Sequence, residues 1–266
     1  MRFVDRLTRV IESTGTFLCV GLDPDLERMP EGVPKTPEGV LEFNLRIIEA
    51  TREFAAAYKP NAAFYEALGH QGVWVLEETR RAIPSDRIAL LDAKRGDIGN
   101  SSKKYAEAIF DRMGFDAVTV SPYLGRESLL PFMERIDRGA FVLTRTSNPT
   151  AGEVQKAHTG GDPLFVAIAR MVAEMDDGNG GLVVGATVPG AFEAVREVAP
   201  GIPLLIPGIG AQGGDLTGSV KAAEFGPVLI NSSRGIIYAS SGEDYFKAAR
   251  AAADRVTNQI RSIRDS

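Results

Sequence analysis

The sequence is poor in cysteine and histidine, and this limits the chemistry it can perform. The one cysteine, Cys19, cannot form an internal disulfide, and in the apolar run FLCVGL we expect it to be buried as a small hydrophobic residue. Without a disulfide framework, a reducing cytoplasm is the simplest compartment. His70 and His158 lie on unrelated segments, and no HxH, HExxH or CxxC spacing occurs. We therefore expect no metal site.

The sequence also lacks long apolar runs and an excess of basic residues. No run approaches the roughly 18 apolar residues that span a bilayer, and the charged first residues, MRFVDRLTRVIEST, lack the apolar core of a signal peptide. The formal net charge of -5 argues against nucleic-acid binding, which relies on a basic surface. We therefore expect neither a membrane nor a nucleic-acid partner, although a few local cations can still bind a small anion.

What the chain does have is a regular alternation of short apolar runs and helical patterns along its 266 residues. Eight runs predict strands, and no linker rich in proline or serine divides them. The alternation predicts an α/β fold, a (β/α)8 TIM barrel, as a single domain over residues 1–266. Periodicity alone leaves a doubly wound sheet open. The predicted strands are residues 16–21, 55–60, 87–94, 116–121, 140–145, 181–187, 202–208 and 227–233.

The longest irregular segment of the pattern, residues 147–163, directly follows the fifth predicted strand. A loop of this length in a compact domain is usually functional or mobile. In a barrel, the loops after the strands form the active-site face. We therefore expect this segment to be a lid over the site.

Charged side chains stand at the ends of the first three predicted strands. Alternate residues of a barrel strand point inward, and catalytic groups sit at the carboxyl ends of the strands. This alternation predicts one cluster at the barrel mouth, formed by Asp23, Lys59, Asp92 and Lys94. A purely structural ion-pair network is the alternative. Buried ion pairs add little net stability, because desolvation offsets their attraction, so a functional cluster is favoured.

Two glycine-rich loops follow the last two predicted strands, PGIGAQGGD at residues 207–215 and NSSRG at residues 231–235. Barrels often bind phosphate with the loops after strands seven and eight, where backbone N–H groups can approach the oxygens closely. Gln212 can donate its amide and Arg234 can form a bidentate charged pair. With Pro207 and Gly235 they predict a phosphate site, although the glycines could merely form tight turns. A dinucleotide site is disfavoured, because GIGAQGGD comes late and lacks a matching acidic strand.

The stretch DAKRGDIGNS, residues 92–101, resembles the Asp-x-Lys-x-x-Asp-Ile signature of the orotidine 5′-phosphate decarboxylase family. The likeness covers almost the whole chain, because further motifs occur in order at strands one, two, five, seven and eight. These are GLDPD, YKPNAAFYE, TRTSNP, PGIGAQGGD and SSRGIIYA. DAKRGDIG together with TSNP is similar to a longer subgroup of the family.

This resemblance implies a reaction and a role for each charged residue. The family removes CO2 from C6 of orotidine 5′-phosphate without a cofactor, giving uridine 5′-phosphate in de novo pyrimidine biosynthesis. The resemblance implies that Lys94 stabilises the carbanion-like C6 and delivers its proton. It also implies that Asp92 and Asp97 keep Lys94 charged and oriented. Lys59 and Asp23 would contact Asp92 and the ribose hydroxyls.

The same resemblance implies contacts to the base and to a second subunit. Ser147 matches the serine that contacts the pyrimidine edge. Asp97, Ile98 and Ser101 match residues that reach into the neighbouring subunit's site, so a homodimer with shared sites is expected. Many family members carry threonine in place of Ser101, and serine retains the hydroxyl.

Two other functions compete with this one. A sugar-phosphate enzyme of the same superfamily, such as a keto-gulonate 6-phosphate decarboxylase, shares Asp-x-Lys-x-x-Asp but uses magnesium and an enediolate. The Gln212 loop, the Ser147 motif and Lys59 favour the pyrimidine enzyme. A non-catalytic nucleotide-phosphate binding protein is the second alternative. Such a protein needs the phosphate site but not a desolvated Asp–Lys–Asp array.

Overall fold

A closed barrel of eight parallel strands forms the centre of the protein. The computed structural model describes residues 1–188, 190–209 and 214–266. The strands follow one another around the barrel in chain order, the first pairs with the last, and at least one helix lies between each consecutive pair. The eight strands close on themselves, so the predicted (β/α)8 barrel is confirmed and the doubly wound sheet is excluded.

Each predicted strand overlaps an observed one, with ends that differ by no more than three residues. Strands β1 to β8 are Leu18–Leu22, Ala57–Pro60, Ile88–Arg95, Ala117–Val120, Gly139–Arg145, Gly180–Val184, Leu204–Pro207 and Val228–Ser232. Helices α1 to α6 are Phe3–Thr14, Pro37–Thr51, Ala62–Glu66, His70–Ala82, Gly99–Ala106 and Arg126–Met133. Helices α7 to α12 are Gly152–Gln155, Leu164–Met175, Ala191–Val198, Leu216–Lys221, Arg234–Ile237 and Tyr245–Arg264. None of the helices within the described ranges is long and apolar enough to cross a bilayer.

Helix α1 closes the amino end of the barrel. Its apolar face, Phe3, Leu7 and Val10, packs into the lumen cluster that contains Cys19 and Phe141. The rings of Phe3 and Phe141 meet edge to face at 5.9 Å. A Cβ at Gly139 would lie 2.6 Å from the Phe3 ring, so glycine at the start of β5 makes room for this plug. The apolar layers leave the polar groups of the lumen at the opposite, carboxyl end.

A buried arginine fastens the amino ends of β7 and β8. The guanidinium of Arg196, on α9, donates to the carbonyl oxygens of Ile202, Ala222 and Gly226 at 2.5, 3.0 and 3.2 Å. Burial lowers the pKa of Arg196 to about 10. These carbonyls lie in the turns that lead into the two strands whose far ends carry the glycine-rich loops.

The segment at residues 147–163 carries regular structure that its sequence pattern did not predict. It contains a 3-10 turn at Pro149–Ala151, helix α7 and an antiparallel hairpin that pairs His158–Thr159 with Asp162–Pro163. Oε1 of Gln155 accepts hydrogen bonds from the backbone N–H of Thr146 at 2.9 Å and from Arg145 at 3.0 Å. The segment is therefore tied to the end of β5.

Candidate active site

The carboxylate of Asp92 is the centre of a charged cluster at the barrel mouth. Its Oδ2 lies 3.1 Å from Nζ of Lys59, on the neighbouring strand β2. Its Oδ1 lies 2.6 Å from Nζ of Lys94 and accepts a 2.8 Å hydrogen bond from the hydroxyl of Thr119, on β4. Three adjacent strands thus bring two ammonium groups and one hydroxyl to one carboxylate, as strand alternation predicted for the lysines.

An irregularity in β3 shapes this part of the site. Leu91 pairs with Val118 and Arg95 with Val120, so three residues of β3 face the single residue Thr119 of β4. The Thr119 hydroxyl accepts the backbone N–H groups of Ala93 and Lys94, both at 3.0 Å. Bulges of this kind re-aim side chains beside active sites.

The backbone of Lys94 is held in an unfavourable conformation. Its φ of 49° lies in the left-handed region, which costs a residue with a side chain about 1–2 kcal/mol. Conformational strain of this kind persists only where the surrounding structure enforces it, and it clusters at functional sites. Here the Thr119 hydroxyl and the ion pair with Asp92 hold the residue.

Lys59 and Asp92 are both charged although they are buried, with 4% and 14% of their side chains exposed. Burial alone lowers the pKa of Lys59, but the attraction of Asp92 and Asp23 outweighs it and raises this pKa above its usual value. Burial likewise opposes ionisation of Asp92, but Lys59, Lys94 and the Thr119 hydroxyl lower its pKa well below the usual range. The pair is therefore a fixed arrangement of charge at neutral pH.

A polar cavity of about 190 Å³ opens beside this cluster. Asp23, just after β1, contributes a carboxylate whose Oδ2 accepts a 2.6 Å hydrogen bond from the hydroxyl of Ser233. The lining contains both acidic and basic groups and backbone from the loops after β7 and β8. The lining residues are Asp23, Lys59, Asn61, Asp92, Pro207, Gly208, Ile209, Asn231, Ser233, Arg234 and Gly235.

The two predicted phosphate loops meet at this cavity. Pro207 ends β7, while Arg234 and Gly235 begin α11 directly after β8. The Arg234 side chain is exposed, and it forms no ion pair within the part of the chain that the structure describes. The predicted role of Gln212 falls outside the described residues.

Asp97, Ile98 and Ser101 lie apart from the cavity of their own chain. Oδ1 of Asp97 accepts a 2.8 Å hydrogen bond from the backbone N–H of Ile98. No ion pair joins Asp97 to Lys94 among the described residues. Ile98 is 58% exposed although it is apolar, and Ser101 is exposed on α5. Asp97 itself is half-buried.

Two further polar residues at the mouth, Ser147 and Asn61, contact the neighbouring loop and helix. Ser147 is half-buried after β5 and packs so closely on Gly185 that a Cβ at Gly185 would lie 2.8 Å from the Ser147 Cβ. Asn61 lines the cavity and also caps α3, where its Oδ1 accepts the N–H of Ala63 at 3.2 Å.

Arg95, which the motif leaves without a role, points away from the lumen. It pairs with Glu66 and lies over the ring of Tyr105.

Three residues of the site were missed by sequence reasoning: Thr119, Asn231 and Ser233. Thr119 occupies the inward position of β4 between Ala117 and Ser121, so strand alternation could have found it. Asn231 and Ser233 lie in the NSSRG motif, which drew attention to arginine and glycine alone.

A larger cavity of about 420 Å³ lies beside the mouth, between the ends of β4 and β5 and helix α8. Its lining is mostly apolar and includes Tyr123, Val154 and Met171. Because none of its described lining residues is charged, the polar cavity at Asp92 is the candidate active site.

Within the described ranges, no group of three or more His, Cys, Asp or Glu side chains is placed to hold a metal ion.

The closed barrel with a charged cavity at the carboxyl ends of its strands defines a TIM-barrel enzyme, with the site where this class of enzymes carries it. Residues 16–249 match the profile of the Orotidine 5′-phosphate decarboxylase / HUMPS family. The chain belongs to this family.

Similar proteins share most of their length with this chain. The orotidine 5′-phosphate decarboxylase of Thermomicrobium roseum is 49% identical over 271 residues, which cover 99% of this chain and 96% of that protein. The enzyme of the same name from Haloarcula marismortui is 45% identical over 280 residues, which cover 99% of this chain and 100% of that protein. The structure of Leishmania donovani OMP decarboxylase superposes with a TM-score of 0.87 at 40% identity, with full coverage of both chains.

Proposed function

We propose that the protein is a carboxy-lyase that converts orotidine 5′-phosphate to uridine 5′-phosphate and CO2 in pyrimidine biosynthesis. The observation that carries this proposal is the Lys59–Asp92–Lys94 array at the mouth of a barrel of this family. The family description also names HUMPS proteins, so a sugar-phosphate enzyme of the same superfamily is the alternative. Relatives with 42–49% identity that share the name orotidine 5′-phosphate decarboxylase support the pyrimidine reaction.

In this mechanism, the bond between C6 and the carboxylate breaks and its electron pair stays on C6. CO2 leaves, and the proton on Nζ of Lys94 passes to C6, after which water restores the ammonium. An ammonium about 4 Å from the developing charge is worth on the order of 4 kcal/mol at an effective dielectric near 20. Lys94 is suited to this role, since its Nζ is held by Asp92 yet half of its side chain remains exposed at the mouth.

Asp92 and Lys59 supply fixed charge to the reaction. Asp92 orients Lys94 and lies near the departing carboxylate. Because the pKa of Asp92 is depressed and that of Lys59 is raised, neither group changes its charge at neutral pH. Charges that are already in place need little reorganisation as the transition state forms.

The rest of the cavity binds the phosphate, the sugar and the base. Arg234 and Gly235 hold the phosphate together with Gln212 and Pro207, and their binding energy drives closure over the reacting ring. Asp23 and Lys59 contact the ribose hydroxyls, and Ser147 contacts the pyrimidine edge. The segment at residues 147–163 is the lid. The whole chain acts as one cytoplasmic catalytic domain.

The active form is a homodimer in which Asp97, Ile98 and Ser101 complete the neighbouring site. Exposed apolar side chains at the ends of three neighbouring strands support this arrangement. They follow β3, β4 and β5 and are Ile98, Tyr123, Leu124 and Val154. A second copy would cover this face, and the carboxylate of Asp97 is free of Lys94 within its own chain.

The test is the ultraviolet absorbance change of orotidine 5′-phosphate with purified protein, with and without a chelator. We expect conversion that the chelator does not change, and loss of turnover in Lys94→Ala with an unchanged melting curve. Lys247→Ala, an exposed lysine on α12, is the matched control and keeps full activity. Absence of this conversion, together with chelator-sensitive turnover of a keto-gulonate 6-phosphate, would assign the site to a magnesium-dependent sugar-phosphate enzyme. Full activity of Lys94→Ala would refute the role of that residue.

A further inference from the structure

The carboxylate of Asp23 has one oxygen bound and one oxygen free. Oδ2 accepts the hydrogen bond from the hydroxyl of Ser233 at 2.6 Å. Oδ1 is buried and has no donor among the described residues. Buried carboxylate oxygens are normally hydrogen-bonded, and each exception needs an explanation. Both Asp23 and Ser233 line the polar cavity, so the free oxygen belongs to a site that a ligand can fill.

A second acceptor in the same cavity is also unpaired. Oδ1 of Asn231 is buried and has no donor among the described residues. Two buried acceptors without donors fit a ligand that brings hydroxyl groups to this wall. A sugar meets this requirement, whereas a phosphate group, which accepts hydrogen bonds, does not.

The neighbouring backbone is built to bring Ser233 to Asp23. A Cβ at Gly21 would lie 2.6 Å from the Ser233 Cβ and 2.9 Å from its Oγ. Contacts this short do not occur, so any side chain at Gly21 would displace Ser233. Because β1 and β8 are paired, glycine in β1 allows the chain after β8 to close over the strand end.

Among the described residues, the Ser233 hydroxyl makes no hydrogen bond besides the one to Asp23. Ser233 caps the short helix α11 through its backbone carbonyl, which accepts the N–H groups of Ile236 and Ile237 at 2.8 and 3.0 Å. Removal of the hydroxyl therefore leaves the cap intact. Its described hydrogen bond goes to Asp23.

We propose that Ser233 is a positioning residue that fixes the Asp23 carboxylate so that its free Oδ1 accepts a hydrogen bond from one sugar hydroxyl of the substrate. This inference rests on the proposed function. A carboxylate can rotate, and Lys59 lies close enough to attract it. Because Ser233 binds Oδ2, the carboxylate cannot rotate freely. Its Oδ1 is therefore held in one orientation as the acceptor for a substrate hydroxyl. Ser233 thereby sets the preference for a ribose over a deoxyribose, with Gly21 providing the space.

The experiment compares kcat/KM for orotidine 5′-phosphate with kcat/KM for its 2′-deoxy and 3′-deoxy analogues. We expect wild type to discriminate strongly against one analogue. In Ser233→Ala, kcat/KM for the ribose substrate falls roughly 10- to 30-fold, as expected when a charge-assisted contact is lost. The same variant changes kcat/KM for the disfavoured deoxy analogue less than 3-fold. The ratio of kcat/KM between the ribose substrate and this analogue therefore becomes smaller than in wild type.

Two further variants separate positioning from general damage. Ser240→Ala removes a matched 2.6 Å serine–aspartate hydrogen bond, to Asp244 away from the cavity, and leaves discrimination unchanged. Gly21→Ala keeps the hydroxyl but displaces it, and it narrows discrimination as Ser233→Ala does. Equal losses on ribose and deoxyribose substrates, or no loss, would overturn the role of Ser233 alone. Absence of turnover by wild type would overturn the proposed function and this inference with it.

Discussion

At the scale of single residues, the site depends on how many hydrogen-bond donors the Asp92 carboxylate can bind. Asp92 binds two ammonium groups and the Thr119 hydroxyl, and it has enough acceptor positions for all three. A buried ion pair with this much hydrogen bonding keeps its charge, whereas an unpaired buried charge would shift its pKa and be neutralised. The physical role of Asp92 is therefore to keep the buried Lys59 charged and to hold the ammonium group of Lys94 at the barrel mouth.

Replacement of Thr119 tests the support behind Lys94. We expect Thr119→Val, which keeps the shape but loses the hydroxyl, to lower kcat roughly 10- to 100-fold and stability by about 1–3 kcal/mol. The reason is that the N–H groups of Ala93 and Lys94 lose their acceptor and Lys94 leaves its strained conformation. Steady-state kinetics and urea unfolding measure both effects. Thr119→Ser retains the hydroxyl and stays near wild type. A Thr119→Val variant with wild-type kcat would show that the bulge in β3 keeps its conformation without the Thr119 hydroxyl.

Replacement of Asp92 tests the buried charges through pH. We expect Asp92→Asn to lower the free energy of unfolding by about 3–5 kcal/mol, because Lys59 is left buried and unpaired. The pKa of Asp92 is lowered in the folded state, so its ionisation stabilises the fold above its unfolded pKa of about 3.9. That stabilisation is lost as pH falls through the depressed folded value.

The difference between wild type and Asp92→Asn in urea unfolding is therefore constant from pH 5 to 7 and narrows below about pH 4. Asp137, whose side chain is 58% exposed in its ion pair with Arg138, offers the control, since Asp137→Asn shifts the free energy of unfolding by less than about 0.5 kcal/mol. A difference that stays constant below pH 4 would mean that the pKa of Asp92 is not depressed in the folded state.

At the scale of secondary-structure elements, strand alternation predicted part of the site and missed the rest. The change from apolar to charged residues along β1, β2 and β3 could be predicted from the sequence, because alternate residues of a strand lie on the same face. The bulge in β3 was not readable, since it depends on how β3 and β4 pair. Ser233 was missed for a related reason. Its hydrogen bond joins positions 23 and 233. The predicted barrel makes β1 and β8 neighbours, but strand alternation does not tell which side chain after β8 meets Asp23.

Helix α1 packs at the opposite end of the barrel from the site, so we expect it to affect stability and not turnover. Phe3 is fully buried at the amino end of the barrel, opposite the site. We expect Phe3→Ala to cost about 3–5 kcal/mol and to lower Tm by roughly 10 °C, because it leaves a cavity against Phe141. Kinetics at 15 °C stay within 2-fold of wild type. Glu12→Ala, exposed on the same helix, leaves Tm unchanged. A large fall in kcat with Tm preserved would contradict the separation of stability and site.

At the scale of the whole molecule, the proposed homodimer would cover the exposed mouth of the barrel. Lys94 is 49% exposed, and the apolar residue Tyr123 is 85% exposed on the same side. Isolated exposed apolar residues are ordinary, but a set of them around a catalytic mouth marks an interaction surface. A second copy placed on this face would exclude water from Lys94 and deliver Asp97, as a two-fold symmetric dimer allows.

Mixing two inactive variants tests this arrangement. Lys94→Ala and Asp97→Asn are each expected to be inactive, because each homodimer lacks one group at both sites. After subunit exchange at equal amounts, half of the dimers are mixed and each mixed dimer has one intact site, so activity recovers to about one quarter of wild type. Lys94→Ala mixed with Asp92→Asn is the control. Both changes lie in the same chain's site, so no intact site forms and activity stays absent. If the first mixture also stays inactive although exchange is verified by mass, Asp97 acts within its own chain or the sites are not shared.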